Sequence, residues 1–320
     1  MQEHPKPPES TDQPYFHRDR CPSCGAGLFE AVPAVRARAP AESLPLDELG
    51  PFGSGYTSDR TFFTYYRCRT CSTLFCPVYF TQEQLDNLCA HQPENMDEAP
   101  LAARRKAQES YFRILTQYSR MAGGYLELGP DVGLFTQLCA RHGGFGYFWL
   151  YEPNLDVHPA LRARLAGHKF SLRSVSYPGA DMPEGAVSTA VLIHVLDHVL
   201  EPRRVVADVY SCLDPGGILF TVTHNANSLL ARLLGRRWPP HTLPHPQLFS
   251  PTSVERLLTG QGFDVLRIAR TTNYFPATYL MRATASILGS DASWLPNLDR
   301  PLLGIRLGNI AVVARKRGHN

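Results

Sequence analysis

The sequence predicts an α/β protein with a doubly wound, mainly parallel sheet, preceded by a small cysteine-rich module. From about residue 125 onward, apolar segments of strand length alternate with segments of helical periodicity. Such alternation is typical of βαβ units. The first of these strands runs into a glycine-containing turn, and two CxxC pairs lie upstream of the alternating region. We therefore expect two structural units of unequal size.

Composition fits this fold class and excludes several others. The chain has 320 residues and 35.7 kDa, enough for one α/β core and a smaller module. Hydrophobic residues make up 43% and charged residues 19%, which is ordinary for a folded protein. The net charge of +3 lacks the strongly basic signature of nucleic-acid binding, so no nucleic-acid partner is expected. No apolar run reaches membrane-spanning length and no secretory signal is evident, so we expect a cytoplasmic protein without a membrane span.

The predicted domain boundaries follow these changes in pattern. Residues 1–18 are rich in proline and glutamate and are predicted to be a disordered leader. Residues 19–90 form the cysteine module, and residues 91–120 form a connecting helix. The α/β domain then takes residues 121–320, with an insertion or lid at residues 271–307 before the last strand.

The cysteine module carries two two-cysteine turns that predict a structural zinc site. Four thiolates at tetrahedral geometry suit zinc, and binding would stabilise a module that lacks a large core. The expected ligands are Cys21, Cys24, Cys68 and Cys71. Either Cys76 or His17 could replace one of them. Free buried cysteines or a redox pair are the alternatives for these residues.

Seven strand-like segments define the predicted sheet. In chain order they are YLEL, FGYFWLY, KFSLRSV, VSTAVLI, GGILFTVT, FDVLRIAR and NIAVVARK. Helical patterns separate the earlier strands and indicate parallel connections. The final pair of strands lacks such a crossover, so the sequence predicts an antiparallel edge on the otherwise parallel sheet, with the last strand antiparallel.

The turn after the first strand is the candidate cofactor loop. It contains Glu127, Gly129, Asp131 and Gly133, where glycine lets a ligand approach the backbone. Glycine turns also occur merely as connections, but Glu152 ends the second strand, where a carboxylate can bind both ribose hydroxyls. The acidic groups of the loop would repel a dinucleotide pyrophosphate and suit a cationic sulfonium with an amino group. The pattern therefore favours S-adenosylmethionine over a nicotinamide dinucleotide.

Residues 125 to about 270 resemble the class I S-adenosylmethionine-dependent methyltransferases, especially the branch acting on small metabolites, sugars and quinone-like compounds. The motifs that carry the resemblance are LELGPDVG, YEPN, HVLDHVLEP, LDPGGILFTVTHN and WPPHTLPHPQLFSPTSVERLLTGQGFDV. Their order and spacing are more specific than any single motif. The resemblance implies a Rossmann-like seven-stranded sheet and a methyltransferase activity.

The resemblance also implies which residues contact the cofactor. Glu127 and Gly129 would lie beside its methionine portion, Glu152 would bind the ribose, and Asp181 and Met182 would lie on the adenine side. The complete predicted set is Glu127, Gly129, Asp131, Gly133, Glu152, Pro153, Asp181, Met182 and His194. Asp131 replaces the middle glycine of the family's motif, and Ser188 stands where the family often has an acidic residue.

Methyl transfer from a sulfonium is an in-line displacement that needs an oriented acceptor and, for a hydroxyl or amine, a base. Histidine suits this function because its pKa lies near neutral pH. The candidates are His194, nearest the acceptor, His198, which matches a frequent histidine of the family, and His245 in the segment after the fifth strand. His198 could equally hold the loop by hydrogen bonding.

Zinc-ribbon-like cysteine modules in front of a methyltransferase domain are similar to those of sugar methyltransferases and related natural-product and polysaccharide enzymes. The predicted function is methyl transfer to such a small-molecule acceptor. Two alternatives remain open on the sequence. One is an RNA methyltransferase whose zinc ribbon binds the nucleic acid, and the other is a non-catalytic binding protein with an altered cofactor loop. The oligomeric state and the acceptor atom are not indicated.

Overall fold

The structure is a computed structural model that describes residues 15–49, 61–89, 100–175, 182–287, 290, 294–295, 298, 300–306 and 308–318. The strands are β1 Phe16–His17, β2 Ala31–Val35, β3 Tyr65–Cys68, β4 Leu74–Phe75, β5 Val78–Tyr79, β6 Ala122–Leu128, β7 Gly144–Tyr151, β8 Phe170–Arg173, β9 Val187–Ile193, β10 Leu213–His224, β11 Gln247–Leu248, β12 Phe263–Arg270, β13 Asn273–Pro276, β14 Leu302–Ile305 and β15 Asn309–Lys316. The helices are α1 Gln82–Cys89, α2 Leu101–Leu115, α3 Leu134–His142, α4 His158–Arg164, α5 Pro202–Cys212, α6 Leu229–Leu234, α7 Pro251–Thr259 and α8 Ala277–Ile287.

A seven-stranded sheet forms the centre of the molecule, in the order β12-β15-β10-β9-β6-β7-β8. Strands β10, β9, β6, β7 and β8 pair in parallel, whereas β15 is antiparallel to both β10 and β12. The predicted α/β class and antiparallel last strand are confirmed. The terminal pair also forms an antiparallel edge of the sheet, as predicted, with β12 outermost and β15 between β12 and β10.

Helices cover both faces of this sheet, as a doubly wound fold requires. Helices α2, α3 and α4 pack one face through a core that includes Leu115, Phe135 and Leu161. Helices α5 and α7 pack the other face through a core that includes Val209 and Leu257. Consecutive strand residues alternate between the two cores, which explains why the strands read as nearly continuous apolar runs.

The cysteine-rich segment shares its sheet and its core with the later part of the chain. Its four-stranded sheet has the order β11-β4-β3-β2, and β11 comes from the segment after α6. One buried apolar cluster joins Phe63 and Tyr79 of the first segment to Trp238 and Leu248 of the second. The two predicted units are therefore physically continuous at this interface.

The chain is already ordered before the predicted module begins. Strand β1 pairs antiparallel with β5, and the buried Arg18 donates hydrogen bonds to the carbonyl oxygens of Leu200 (2.5 Å) and Pro246 (3.3 Å). The structure thus differs from the predicted disordered leader 1–18 at its last residues, and residues 1–14 lie outside the described ranges. The apolar side chain of Phe16 packs against the shared core, which accounts for the difference.

Two further predicted segments have counterparts in the structure. Helix α2 lies within the predicted connecting helix 91–120, of which residues 91–99 are outside the described ranges. The segment 271–307 contains β13, α8 and β14, and β13 pairs antiparallel with β14.

Among the helices in the described ranges, none has the length and apolar character needed to cross a bilayer.

Candidate functional site

A cleft lies at the carboxyl ends of β6 and β9, between the sheet and α2 and β13. Ligands of doubly wound sheets bind at this edge. Four predicted site residues line it, namely Glu127, Gly129, Asp131 and His194. Residues from the loop after β6 and from the end of β9 therefore meet in one cavity.

The loop after β6 has an unusual backbone that explains its sequence. Gly129, Asp131 and Gly133 all have positive φ, at 64°, 52° and 78°. Glycine adopts this region without steric cost, and aspartate tolerates it better than most residues. A Cβ added to Gly133 would lie 2.4 Å from Leu161 Cδ1, so that position also requires the absence of a side chain.

Glu127 ends β6 as a buried acid that faces the cavity. Its Oε2 accepts hydrogen bonds from the Tyr125 hydroxyl and the Thr136 hydroxyl, both at 2.6 Å. Burial raises the pKa of Glu127 to about 7, although the two hydrogen bonds oppose the shift. The carboxyl group is thus poised to ionise when a cation enters the cavity.

Glu152 follows β7 and holds the loop after β6 from the other side. Its Oε2 accepts from the Asp131 backbone N–H (2.8 Å), and its Oε1 accepts from the Asn154 backbone N–H (2.9 Å). Burial raises the pKa of this carboxyl, and the two amide donors act against the rise. Each carboxylate oxygen has capacity for a second hydrogen bond, so Glu152 could still bind the two hydroxyls of a ribose.

The remaining predicted cofactor residues are less informative. Pro153 follows Glu152 directly, and Met182 is a half-buried residue packed against the core beneath α5 and α7. Asp181 lies outside the described residues. The adenine side of the predicted site is therefore represented in the structure by Met182 alone.

His194 follows β9 directly and has a left-handed backbone, with φ 54°. Its backbone N–H donates to the Val222 carbonyl (2.8 Å), which ties it to β10. Asn309 Nδ2 lies 3.2 Å from His194 Nε2, and Asp197 Oδ2 lies 3.8 Å from His194 Nδ1. Burial lowers the pKa of His194, so its imidazole is neutral at neutral pH and able to accept a proton.

The other candidate histidines lie behind His194 in a row. Ring centroids are 4.7 Å apart for His194 and His224, 4.9 Å for His224 and His245, and 4.5 Å for His245 and His198. Burial lowers the pKa of His198 to about 4 and that of His245 well below its usual value. The structure thus gathers all three predicted histidines, but of the three His194 alone lines the described cavity.

Two residues of this cluster were not among the predicted site residues. His224 donates to Asp197 Oδ2 through both its backbone N–H (3.0 Å) and its Nδ1 (2.9 Å). Asp197 follows His194 by three residues, and this spacing could have predicted from the sequence that the two side chains lie close together. The approach of Asn309 to His194 was not readable, because it depends on β15 pairing beside β10.

The four predicted zinc ligands come together in the structure. Cys21 Sγ is 3.5 Å from Cys71 Sγ, Cys24 Sγ is 3.7 Å from Cys68 Sγ, and all four sulfurs lie within 4.8 Å of one another. A tetrahedral zinc site with bonds of about 2.3 Å has sulfur–sulfur edges of about 3.8 Å, so the donor set fits. Cys76 donates instead to the Phe63 carbonyl, and neither it nor His17 belongs to the group.

Comparison with known proteins defines the class. A family model described as a methyltransferase domain matches residues 103–268, about half of the chain. The chain belongs to this family and is an S-adenosylmethionine-dependent methyltransferase, which confirms the resemblance seen in its motifs. The match begins within α2 and ends within β12, so it covers the cavity and the residues around Glu127, Glu152 and His194.

Among particular proteins, the chain is similar to the ubiquinone biosynthesis O-methyltransferase of Xanthomonas euvesicatoria pv. vesicatoria (strain 85-10). The two are 24% identical over 199 residues, which cover 58% of this chain and 82% of the relative. Among solved structures, the [4+2]-cyclase SpnF is 16% identical with a TM-score of 0.48, covering 72% of this chain and 87% of its own. An S-adenosylmethionine-dependent methyltransferase from Mesorhizobium loti is also 16% identical with a TM-score of 0.46, covering 65% and 98%.

Proposed function

We propose that the protein transfers a methyl group from S-adenosylmethionine to a small-molecule acceptor, with His194 as the base. The acceptor class we propose is a sugar, or another natural-product or polysaccharide intermediate. One observation carries this proposal: the cavity that contains the candidate cofactor residues Glu127, Gly129 and Asp131 also contains His194. A methyl donor and a proton acceptor would therefore meet in one place.

Bound S-adenosylmethionine would supply a methyl group on a sulfonium sulfur that leaves as a neutral thioether. On this chain, Glu127 would bind the cationic amino group, because it is a buried acid that lines the cavity and is held by two hydroxyl donors. Glu152 would bind the ribose hydroxyls while its amide contacts keep the loop in place. Gly129 and Gly133 keep side chains out of the turn.

His194 would accept the proton that a hydroxyl or amine acceptor loses. It is neutral because burial lowers its pKa, and Asn309 fixes its ring from the side of β15. His198 and His245 lie behind it, and their lowered pKa values keep them uncharged. In this arrangement they would support the ring of His224 and the loops around it.

The shape of the cleft supports a small acceptor. Tyr274 and Phe275 of β13 close one side, Lys106 lies 4.9 Å from the Tyr274 ring centroid, and Tyr111 donates to Asn273 Oδ1 (2.5 Å). Aromatic walls with a few polar groups are typical of small-molecule sites. The related ubiquinone biosynthesis enzyme is an O-methyltransferase, which favours an oxygen acceptor here.

We propose a structural function for zinc in the cysteine cluster. Its four thiols leave no open coordination position, the cluster lies beside the β3–β4 turn, and none of its cysteines lines the described cavity. The ion would stabilise the sheet that contains β11. It would take no part in the methyl transfer.

The test is a transfer assay with a panel of hydroxylated small molecules, including sugars, nucleotide-linked sugars and phenols, with S-adenosylhomocysteine as the measured product. We expect product formation that depends on the acceptor and falls at least about 100-fold in His194→Asn, with the affinity for S-adenosylmethionine retained. An acceptor methylated equally well by His194→Asn would contradict the base function. His142→Asn, at the end of α3, is the matched control.

A further inference from the structure

We propose that Asp197 is a positioning residue that orients the imidazole of His194. It also stabilises the imidazolium that forms when His194 takes the proton of the acceptor. His224 in turn holds Asp197 in place. The inference rests on the proposed function, since it concerns the same base. It assigns functions to Asp197 and His224, which no sequence motif assigned. It also explains why a buried carboxylate lies beside the cavity.

Asp197 is fully buried, with 0% of its side chain exposed, three residues after His194. A buried carboxylate is costly unless it is hydrogen-bonded or paired with a positive charge. Its Oδ2 accepts two hydrogen bonds from His224, at 3.0 Å from the backbone N–H and 2.9 Å from Nδ1. His224 thereby anchors the carboxylate from the end of β10.

The side that faces His194 is incompletely satisfied. Within the described ranges, neither Asp197 Oδ1 nor His194 Nδ1 has a hydrogen-bond partner, although both atoms are buried. Asp197 Oδ2 and His194 Nδ1 are 3.8 Å apart, so a small movement of either side chain would bring them into contact. The unpartnered His194 Nδ1 thus faces Asp197 Oδ2, which His224 already engages, while Oδ1 of the same carboxylate has no partner within the described ranges. Buried polar atoms without a partner call for a functional explanation.

Asn309 indicates which nitrogen of His194 is the base. The amide Nδ2 is a donor and lies 3.2 Å from Nε2, a contact that a neutral imidazole accepts only when its proton is on Nδ1. This tautomer turns the Nδ1–H toward Asp197 and puts the basic lone pair on Nε2, where the acceptor's proton would displace the hydrogen bond from Asn309. In other catalytic pairs of a histidine and a carboxylate, one ring nitrogen likewise donates to the carboxylate, which fixes the tautomer, and the other nitrogen acts as the base.

The proton balance is simple. A lone pair on the acceptor atom X would form the new bond to the methyl carbon while the carbon–sulfur bond breaks and its electron pair stays on the sulfur, leaving a thioether. The X–H bond breaks, its electron pair stays on X, and the proton goes to His194 Nε2. The resulting imidazolium has an N–H at both nitrogens, and its charge lies beside Asp197.

The titratable groups that face Asp197 are His194 and His198 on its own segment, His224 after β10, His245 after α6 and Tyr65 on β3.

The pKa values are consistent with this arrangement. Burial acts to raise the pKa of Asp197, but the neighbouring imidazoles of His194 and His224 outweigh it and hold the pKa below its usual range. The carboxylate is therefore charged when the imidazolium forms. Burial already lowers the pKa of His194. Replacing the Asp197 carboxylate by a neutral amide should lower this pKa further, because the imidazolium loses a neighbouring negative charge.

The experiment is histidine-selective ¹⁵N and ¹³C NMR of the full-length, zinc-loaded protein with S-adenosylhomocysteine added. The His194 signal is assigned by its loss in His194→Asn. In the wild-type protein we expect the neutral form of His194 to be the Nδ1–H tautomer, and we expect His224 to have a proton on Nδ1, where it donates to Asp197. In Asp197→Asn we expect the pKa of His194 to fall by about one unit or more.

Several outcomes would overturn the inference, and none needs an acceptor. An Nε2–H tautomer of wild-type His194 would do so even if Asp197→Asn fails to fold. Unchanged titration of His194 in a folded Asp197→Asn would do so as well. A second metal ion per chain that is lost in Asp197→Asn would make Asp197 a metal ligand instead of an orienting group. Failure to bind S-adenosylhomocysteine would contradict the proposed function but leave the tautomer test valid.

Discussion

Glu127 illustrates how a single buried acid can match a cationic ligand. Its neighbours donate two hydrogen bonds, yet burial dominates and raises its pKa to about 7. The raised value favours the protonated form in the unliganded fold. The protonated Glu127 therefore contributes to the stability of the fold. This contribution is complete below pH 4.5, the usual pKa of a glutamate, and it is lost as the pH rises through about 7. A bound cation would reverse the preference.

We predict from this that the affinity for S-adenosylmethionine rises with pH. Below about pH 7 each unit should strengthen binding about tenfold, because the cation binds the ionised form of Glu127. Above that pH the affinity should level off. Glu127→Gln should bind more weakly and without this pH dependence. Isothermal titration between pH 5 and pH 8 measures both effects.

Glu109→Gln is the matched control, since Glu109 lies on the exposed surface of α2 beside Arg113. It should keep the wild-type profile. If Glu127→Gln keeps that profile too, Glu127 is not the group that binds the amino group.

At the scale of elements, the pairing of β4 with β11 connects the cysteine-rich segment to the histidine cluster. Tyr65 on β3 donates to the His245 carbonyl (2.6 Å), and Cys76 N–H donates to the Pro246 carbonyl (2.9 Å). Gln247 of β11 donates in turn to the carbonyls of Leu196 and Val199 at 2.6 and 2.7 Å. A continuous set of hydrogen bonds therefore joins this sheet to the segment after β9.

Tyr65→Phe should destabilise the protein by about 1–2 kcal/mol, because it leaves the buried His245 carbonyl without its donor. The measurement is urea unfolding followed by circular dichroism. Tyr66→Phe is the control on the same strand, because within the described residues no hydrogen bond of its hydroxyl is found, and it should be close to neutral. Equal effects of the two changes would argue against the connection through Tyr65.

The sequence predicted the elements of the sheet well, since each strand has its own apolar run and helices follow β6, β7 and β9. It could not predict that β15 lies inside the sheet, because the pattern of NIAVVARK is the same for an inner and an outer strand. The position of Asn309 beside His194 depends on that placement. The shared core of Phe63 and Trp238 was hidden for the same reason, because it forms between segments far apart in the chain.

At the scale of the whole molecule, the cysteine cluster should stabilise more than its own turns. Its sheet includes β11, and the surrounding core includes Leu200 and Trp238 of the catalytic domain. Loss of a structural zinc would therefore loosen the segments that hold His245 and Asp197. Metal binding and the integrity of the active site should be coupled.

We predict that Cys24→Ala loses one zinc per chain, lowers the melting temperature and reduces methyl transfer. Cys212→Ala is the matched control, because Cys212 is a free cysteine at the end of α5, apart from the cluster, and should keep the metal. Metal analysis and thermal unfolding measure the two effects. Full zinc content and wild-type melting of Cys24→Ala would contradict the four-thiol site.

The most direct test of the account is isothermal titration of the full-length, zinc-loaded protein with S-adenosylmethionine, in wild type and Glu152→Ala. We predict micromolar binding by the wild type and at least about tenfold weaker binding by Glu152→Ala, because Glu152 holds both the loop and the ribose. Glu255→Ala, on the exposed side of α7, should bind like the wild type. No binding by a folded, zinc-loaded wild type, or equal binding by Glu152→Ala, would contradict the site described here.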